Sequence, residues 1–265
     1  MKYNLHGSLI VYFSLILFTI VAVNFTHAAL IDLDTVEVLY LFDEGKGEVA
    51  VDNSPNGRDG AITGAKYTEG VFGTGLEYDG VDDNLVVTGY AGIGGAEPRT
   101  VLFWFKSSGT RDHSLVKWGT NTTSKKYYVR THPSGDKCFL RIEVSGGQNY
   151  GNDDICDGEW HHCALVFPDG ADSVKDHDLY VDGVLQDKVG NDVAMDTDGD
   201  IQEINIGARL TGHKFLFGYL DELAIFSTDL DVDQINALRE DGLQTAASVD
   251  PQAKLATSWA RIKRY

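Results

Sequence analysis

Short apolar or alternating runs, each closed off by Gly, Asp or Asn, recur along most of this chain of 265 residues. They lie at residues 36–42, 76–78, 85–87, 100–106, 114–118, 127–131, 139–144, 161–167, 179–181, 184–186, 204–206 and 219–226. Side chains alternate between the two faces of a strand, so each run can bury one side and leave the other for solvent or a second layer. Evenly spaced short strands with Gly-rich turns predict an all-β sandwich or barrel rather than βαβ units. Asp182-Gly183, between two such runs, is the strongest short hairpin signal, because a tight primed turn needs residues that accept positive φ. One short helix is expected near the end of the domain, at residues 231–240. Val232, Ile235 and Leu238 share a face there, and Gly242 stands just past the end as a stop.

The first 28 residues have the three parts of a secretory signal: Lys2, an apolar run at 9–23, and small residues in Thr26-His27-Ala28 before the cut. The run is shorter than the roughly 20 residues that span a bilayer. The expected organisation is therefore a signal at 1–28, a domain at 29–243, and a linker with a basic amphipathic tail at 244–265. In that tail Leu255, Trp259 and Ile262 share a face among Lys254, Arg261, Lys263 and Arg264. The expected location is secreted, extracellular or in the cell envelope. Membrane contact requires an uncleaved signal or a docked tail. Forty acids against 22 bases give a formal charge of −18, which repels nucleic acid and excludes it as a partner.

Three cysteines occur, Cys138, Cys156 and Cys163, and export permits a disulfide. Residues 139–144 read as a strand, Gly146-Gly147 as a turn and 149–155 as the return. That hairpin brings Cys138 and Cys156 nearly opposite, where Cβ atoms about 4.5–5.5 Å apart come within or close to bonding reach. The expected bridge is Cys138–Cys156; Cys138–Cys163 and no bridge stay open. Cys163, in an apolar strand, is expected to fill core.

Seven segments stand in a telling order. They are Leu41-Phe42-Asp43-Glu44-Gly45-Lys46-Gly47, Asp52-Asn53-Ser54-Pro55-Asn56-Gly57-Arg58-Asp59-Gly60, the stretch from Phe72-Gly73-Thr74-Gly75 to Asp82-Asp83, the strand ending Phe103-Trp104-Phe105-Lys106, Asp157-Gly158-Glu159-Trp160-His161-His162, Leu179-Tyr180-Val181-Asp182-Gly183, and Gly218-Tyr219-Leu220-Asp221-Glu222 with its continuation. Together, over residues 36–242, they resemble the laminin G-like (concanavalin A-like lectin/glucanase, pentraxin-like) jelly-roll domain family. Cys163 departs from the aliphatic residue usual there, and the tail lies outside the domain. The resemblance implies a two-sheet antiparallel β-sandwich, often with calcium, serving in carbohydrate or protein recognition. The expected function is a non-catalytic recognition module for a glycan or extracellular protein, with calcium as the candidate cofactor. The alternatives are a glycoside hydrolase with loop-borne acids and a purely structural extracellular domain, since a fold does not dictate its ligand.

Candidate site residues follow from chemistry. Calcium takes six to eight oxygens, and Asp79, Asp82 and Asp83 crowd carboxylates on one turn. The family pattern implies that Asp221 and Asp43 join them in one site; the alternative is that these acids cap backbone amides of turns. Asp196-Thr197-Asp198-Gly199-Asp200 imitates a calcium loop, but Ala194 and Asn205 stand at its end positions. A Glu-x-Asp-x-x-Glu run, which hydrolases of this shape carry, does not occur, and the adjacent Asp221-Glu222 is expected to point to opposite faces. His161-His162 is expected to split in the same way. Among aromatic residues that stack on sugars, Trp118, Tyr128 and Tyr150 are the ligand-binding candidates, with Trp104, Tyr127 and Trp160 also available; Tyr90 and His113 are further loop contacts. Asn121-Thr122-Thr123 is a glycosylation sequon in an expected loop.

Overall fold

The structure, a computed structural model, describes residues 31–209 and 214–244. The expected signal at 1–28 and the expected tail from residue 245 lie outside the described residues. No helix among the described residues is long and apolar enough to cross a membrane.

In chain order the strands are β1 (Val36–Tyr40), β2 (Val49–Ala50), β3 (Gly60–Thr63), β4 (Lys66–Glu69), β5 (Thr74–Asp79), β6 (Asn84–Thr88), β7 (Arg99–Lys106), β8 (Ser114–Gly119), β9 (Lys126–Ser134), β10 (Lys137–Val144), β11 (Gly147–Tyr150), β12 (Trp160–Phe167), β13 (Asp178–Val181), β14 (Val184–Leu185), β15 (Glu203–Ile206) and β16 (Phe217–Phe226), followed by the helix α1 (Val232–Asp241). One sheet runs β14-β13-β12-β7-β16-β5-β4, with β1 also paired to β16; the other runs β11-β10-β9-β8-β15-β6-β3-β2. Every pairing between named strands is antiparallel. This is a jelly-roll sandwich. Strands β2, β3 and β4 were not expected; they are two to four residues long and too short for alternation to stand out.

The core forms where the inner faces meet. Val101, Phe103 and Phe105 of β7 and Cys163, Leu165 and Phe167 of β12 face Val116 and Trp118 of β8, Tyr127 and Val129 of β9, and Leu140 and Ile142 of β10. A second apolar layer covers the outside of the first sheet. Leu102, Ala164, Val166, Ala224 and Phe226 point there and meet Ile235 and Leu238 of α1. Asp231 caps that helix, accepting from the Gln234 amide, and Gly242 ends it at φ +75°. Val232 does not share the buried face as expected and is 40 % exposed. Residues three apart drift about 60° round a helix per step, and the sheet covers only the part holding Ile235 and Leu238. The Asp182-Gly183 turn joins β13 to β14 with both residues at positive φ, +52° and +80°, as a primed turn requires.

Cys138 and Cys156 are joined, with Cα atoms 5.6 Å apart. The return strand is shorter than expected: β11 ends at Tyr150, and the chain reaches Cys156 through a loop whose Ile155 amide donates to the Cys138 carbonyl. The bridge closes a loop of 18 residues, worth about 3 kcal/mol through the entropy of the unfolded chain. Mild reduction, or a Cys138→Ala/Cys156→Ala double variant, is therefore expected to lower stability by about 3 kcal/mol in urea titration. An unchanged midpoint would show the loop to be held by its packing alone. Cys163 is free and buried, paired in register with Phe103 and Val181, and burial pushes its thiol far up.

With α1 over the first sheet, the outside of the second sheet is the sandwich face without a helical cover among the described residues.

Candidate functional site

The five acids expected to share one cation separate into two groups. Asp79, Asp82 and Asp83 hold carboxylate oxygens within 4.8 Å of one another. The Asp83 carboxylate accepts from the Asp79 amide at 2.7 Å, and that of Asp79 from the Val81 amide at 2.8 Å. These acids thus cap their own turn, yet each carboxylate keeps lone pairs for a further partner. Gly64 makes room for Asp83: a Cβ there would lie 1.9 Å from its Oδ1. Burial raises the Asp83 carboxyl, and the charges of Asp79 and Asp82 add to the rise. Three crowded oxygen donors with mutual repulsion fit a hard cation such as calcium.

Asp43 and Asp221 belong elsewhere. Asp79 pairs with Phe217 on β16, and Asp221 lies four residues further along, roughly 13 Å at the rise of a strand. Asp221 is fully buried and accepts from the amides of Val71 at 2.7 Å, Phe72 at 3.0 Å and Glu222 at 2.8 Å. Gly70 permits that approach, since a Cβ there would stand 2.3 Å from Asp221 Oδ2. Asp43 accepts from the Thr74 amide at 2.9 Å. The placement of Asp221 and Glu222 on opposite faces does not hold either. The ladder shifts between Asp221 and Ala224, and Glu222 sits at φ +49°. This bulge interrupts the pleat; both acids are buried, and the exposed Asp43 lies near enough to act on each. Glu222 accepts from the Leu243 amide. Burial raises Asp221 to about 7 and Glu222 to about 8, with Asp43 adding to both. The pair fastens two chain segments, 70–72 and 242–243, onto β16.

The aromatic candidates also divide. Trp118 is fully buried, stacked on Tyr127 at 4.0 Å and donating its Nε1 proton to the Ile93 carbonyl at 3.1 Å. It is core, and the expectation that it contacts ligand is corrected. Trp104 faces the other side of β7, edge-on to His162 at 5.3 Å and Phe72 at 6.5 Å. His161 and His162 part as expected. His161 contacts Asp182 at 2.8 Å and Asp157 at 3.1 Å, which raise it to about 9 against the effect of burial. His162 is buried and pushed down to about 3 by desolvation. The Asp196–Asp200 turn lies beside the sequon loop: Asp198, Gly199 and Asp200 line an open depression of about 590 Å³ with Thr120, Thr122 and Lys125.

Tyr128 and Tyr150 lie on the outer face of the second sheet, with a set of residues that motif reading passed over. Register places Lys117, Tyr128, Glu143 and Gln148 in one cross-strand row, Arg130, Arg141 and Tyr150 in the next, and His132 with Phe139 in a third. Tyr128 is fully buried, its ring between the Lys126 amine at 5.3 Å and the Arg130 guanidinium at 5.1 Å. Tyr150 is half-buried and stacks on His132 at 4.1 Å; His132 stacks on Phe139 at 6.5 Å. Glu143 accepts from Lys126, from Arg130 at 2.7 Å and from Arg141 at 2.6 Å. Burial works to raise Glu143, but the Lys126 hydrogen bond and the three cations hold it below its usual value. Asp112 takes Arg130 and Lys214. A sequence signal for this face did exist: residues 140–144 alternate strictly, with Arg141 and Glu143 on the polar side.

A family model described as the concanavalin A-like lectin/glucanases superfamily matches residues 79–236. Among solved structures, the chain is similar to domain 4 of AbnA, a GH43 extracellular arabinanase from Geobacillus stearothermophilus, in complex with arabinotriose. The TM-score is 0.58 at 21% identity, over 77% of this chain and 98% of that one. It is also similar to the binding domain of Paraclostridial Mosquitocidal Protein 1, with TM-score 0.57 at 14% identity over 78% of this chain and 52% of that one. A third likeness is to the binding domain of Botulinum neurotoxin DC in complex with rat synaptotagmin II, with TM-score 0.55 at 13% identity over 79% of this chain and 52% of that one. The chain thus spans about half of each toxin domain. No curated protein matches its sequence.

Proposed function

The chain belongs to the concanavalin A-like lectin/glucanases superfamily, and from that premise we propose that it is an exported, non-catalytic recognition module that binds a glycan on the outer face of β8–β11. The observation that carries this is the set of half-buried ring faces, Tyr150 on His132 beside Phe139, next to fixed Arg and Lys donors. Sugars are bound by ring stacking on their apolar faces together with hydrogen bonds from oriented polar groups. Domain 4 of the arabinanase, solved with arabinotriose, is consistent with a sugar ligand on this fold. Export fits the Cys138–Cys156 bridge, because disulfides persist in oxidising compartments.

Electrostatics supports binding over hydrolysis. A glycosidase needs one carboxyl held protonated as general acid and a second ionised partner. On this face burial works to raise Glu143 but its three cations hold it below its usual value, and Asp112 is tied to two cations. The raised pair, Asp221 and Glu222, is buried and committed to backbone amides.

Calcium would be held by Asp79, Asp82 and Asp83, supplying a positive charge that neutralises the turn and stiffens the link from β5 to β6. Asp43 and Asp221 have no part in that site.

The test is a glycan array probed with purified protein, in calcium and in chelator. Wild type is expected to retain at least one glycan, and Tyr150→Ala to lose about tenfold in affinity, the scale of one aromatic stack. Retention of no glycan in either condition sinks the glycan reading and turns the search to a protein ligand. Reducing sugar released from the bound polysaccharide overturns the non-catalytic assignment. Millimolar calcium is expected to raise the melting temperature, because a ligand bound by the native state alone stabilises it. Asp82→Asn should abolish that rise; an unchanged melt of wild type removes the site.

A further inference from the structure

The outer face of the second sheet is cationic in an acidic protein. Lys117, Lys126, Arg130, Arg141, Arg209 and Lys214 act on one another there; Lys117 feels Lys126 and Arg209, and Lys214 feels Arg130, Arg209 and Arg141. The carboxylates among them are Asp112, Glu143 and Glu203. Elsewhere acids outnumber bases, 40 to 22 over the whole chain, so this excess of positive charge runs against the composition.

Most of these cations are paired with Asp112 or Glu143. Lys117 is not. It is fully buried, and among the described residues its amine has no hydrogen-bond partner; the Nε of Arg209 lacks one there too. Glu203 already accepts from Asn205 at 2.8 Å. An ammonium taken from water without a partner is strongly disfavoured. Burial and its cationic neighbours lower Lys117 to about 8, which still leaves it mostly charged at neutral pH. Charge, burial and two open donors together suit an anionic partner.

We infer that the glycan bound on this face carries an anionic substituent, a carboxylate or a sulfate ester, seated at Lys117 and Arg209. The inference rests on the glycan reading above and names the class of sugar. Planar guanidinium and ammonium donors match the oxygens of either anion. The acidic remainder of the chain repels a dense polyanion such as nucleic acid, so the seat suits a charge borne on a saccharide. The ring stack of Tyr150 and His132 lies on the same face, Tyr150 in the row next to Lys117 and His132 in the row beyond.

The full chain is titrated at fixed ionic strength with tetragalacturonate, a sulfated galactan tetrasaccharide and the same galactan unsulfated. At least one charged sugar is expected to bind about tenfold or more tightly than the neutral one, the scale of one charge-assisted contact. The carboxylate and sulfate arms identify which anion is preferred. Lys117→Met and Arg209→Gln should each bring the charged sugar down to the neutral value. Lys117→Met removes a buried charge and keeps the stem, so its melting temperature should not fall; Arg209 is half-buried, and its variant stands as the second reading. Equal binding of charged and neutral sugar overturns the anionic seat and leaves the glycan reading standing. A preference that survives both substitutions places the anion elsewhere and overturns the seat as well. A folded protein that holds none of the three, and nothing on the array, overturns both.

Discussion

Replacing Arg99 with alanine is expected to cost about 4–5 kcal/mol, among the largest losses a single substitution can cause. Arg99 opens β7, is fully buried, and has carbonyls and a hydroxyl as its partners. Nη1 donates to the Ile93 carbonyl at 2.6 Å and to Thr197 Oγ1 at 2.7 Å; Nη2 donates to the carbonyls of Gly94 and Gly95 at 3.0 and 3.1 Å; Nε donates to that of Glu97 at 2.9 Å. The cation also lies 5.6 Å from the rings of Tyr127 and Phe167. Burial lowers it to about 10, so it stays charged at neutral pH. One side chain thereby holds the 93–97 loop against Thr197. Alanine leaves a cavity and strands several carbonyls at once. Arg99→Lys should recover less than half of the loss, because an ammonium cannot reproduce a planar fork. Urea titration measures both; a loss below about 1 kcal/mol for the alanine variant would show that the loop holds itself.

Stability should peak near pH 6.5 and fall on both sides. His113, His162 and His177 are fully or almost fully buried, and desolvation lowers them to about 4, 3 and 3. Their contribution is complete above pH 6.5, the value in an unfolded chain, and is lost as pH falls toward the folded values. Each changes stability by about 1.4 kcal/mol per pH unit within its window. Asp221 and Glu222, raised to about 7 and 8, and His161, raised to about 9, act in the opposite sense. The acids contribute fully below about pH 4, and His161 below pH 6.5; each contribution is lost as pH rises through the folded value. Between about pH 4.5 and 6.5 the two acids offset part of the histidine loss, so the acid limb is shallow. Below about pH 4.5 that offset is exhausted and the limb steepens. Denaturation from pH 4 to 9 tests this. His162→Phe, which keeps a ring against Trp104, should flatten the acid limb by one site. Glu222→Gln, which keeps an acceptor for the Leu243 amide, should flatten the alkaline limb. An alkaline limb unchanged by that variant removes Glu222 as its source.

Elements whose chemistry is local were legible in the chain. The Asp182-Gly183 turn needs only two residues with positive φ, and both have it. Helix α1 is marked by its Asp231 cap and Gly242 stop, and the Cys138–Cys156 pairing by the turn between its strands. Side-chain direction was less legible. Tyr127 and Tyr128 are the same residue type in adjacent positions, and both are fully buried. Yet one enters the core, and the other lies under Lys126 and Arg130. Trp118 was open to either reading until the register with Tyr127 was known. The bulge at Asp221 defeated an argument from alternation, because a positive φ at a glutamate has no sequence mark. The Lys117 cluster was hidden for a different reason: its members come from three strands and a distant loop, and antiparallel register alone brings them together.

The buried thiol of Cys163 bears on how the molecule is made. Three sulfhydryls offer three possible pairings while the chain is open, and one of them is native. Thiolate is the attacking species in exchange, so Cys163 competes until β12 docks between β7 and β13 and then falls silent. Oxidative yield becomes a race between strand docking and sulfur chemistry, with fast oxidation favouring scrambled chains. Cys163→Ala takes the competitor out of that race at the cost of one sulfur atom's worth of packing.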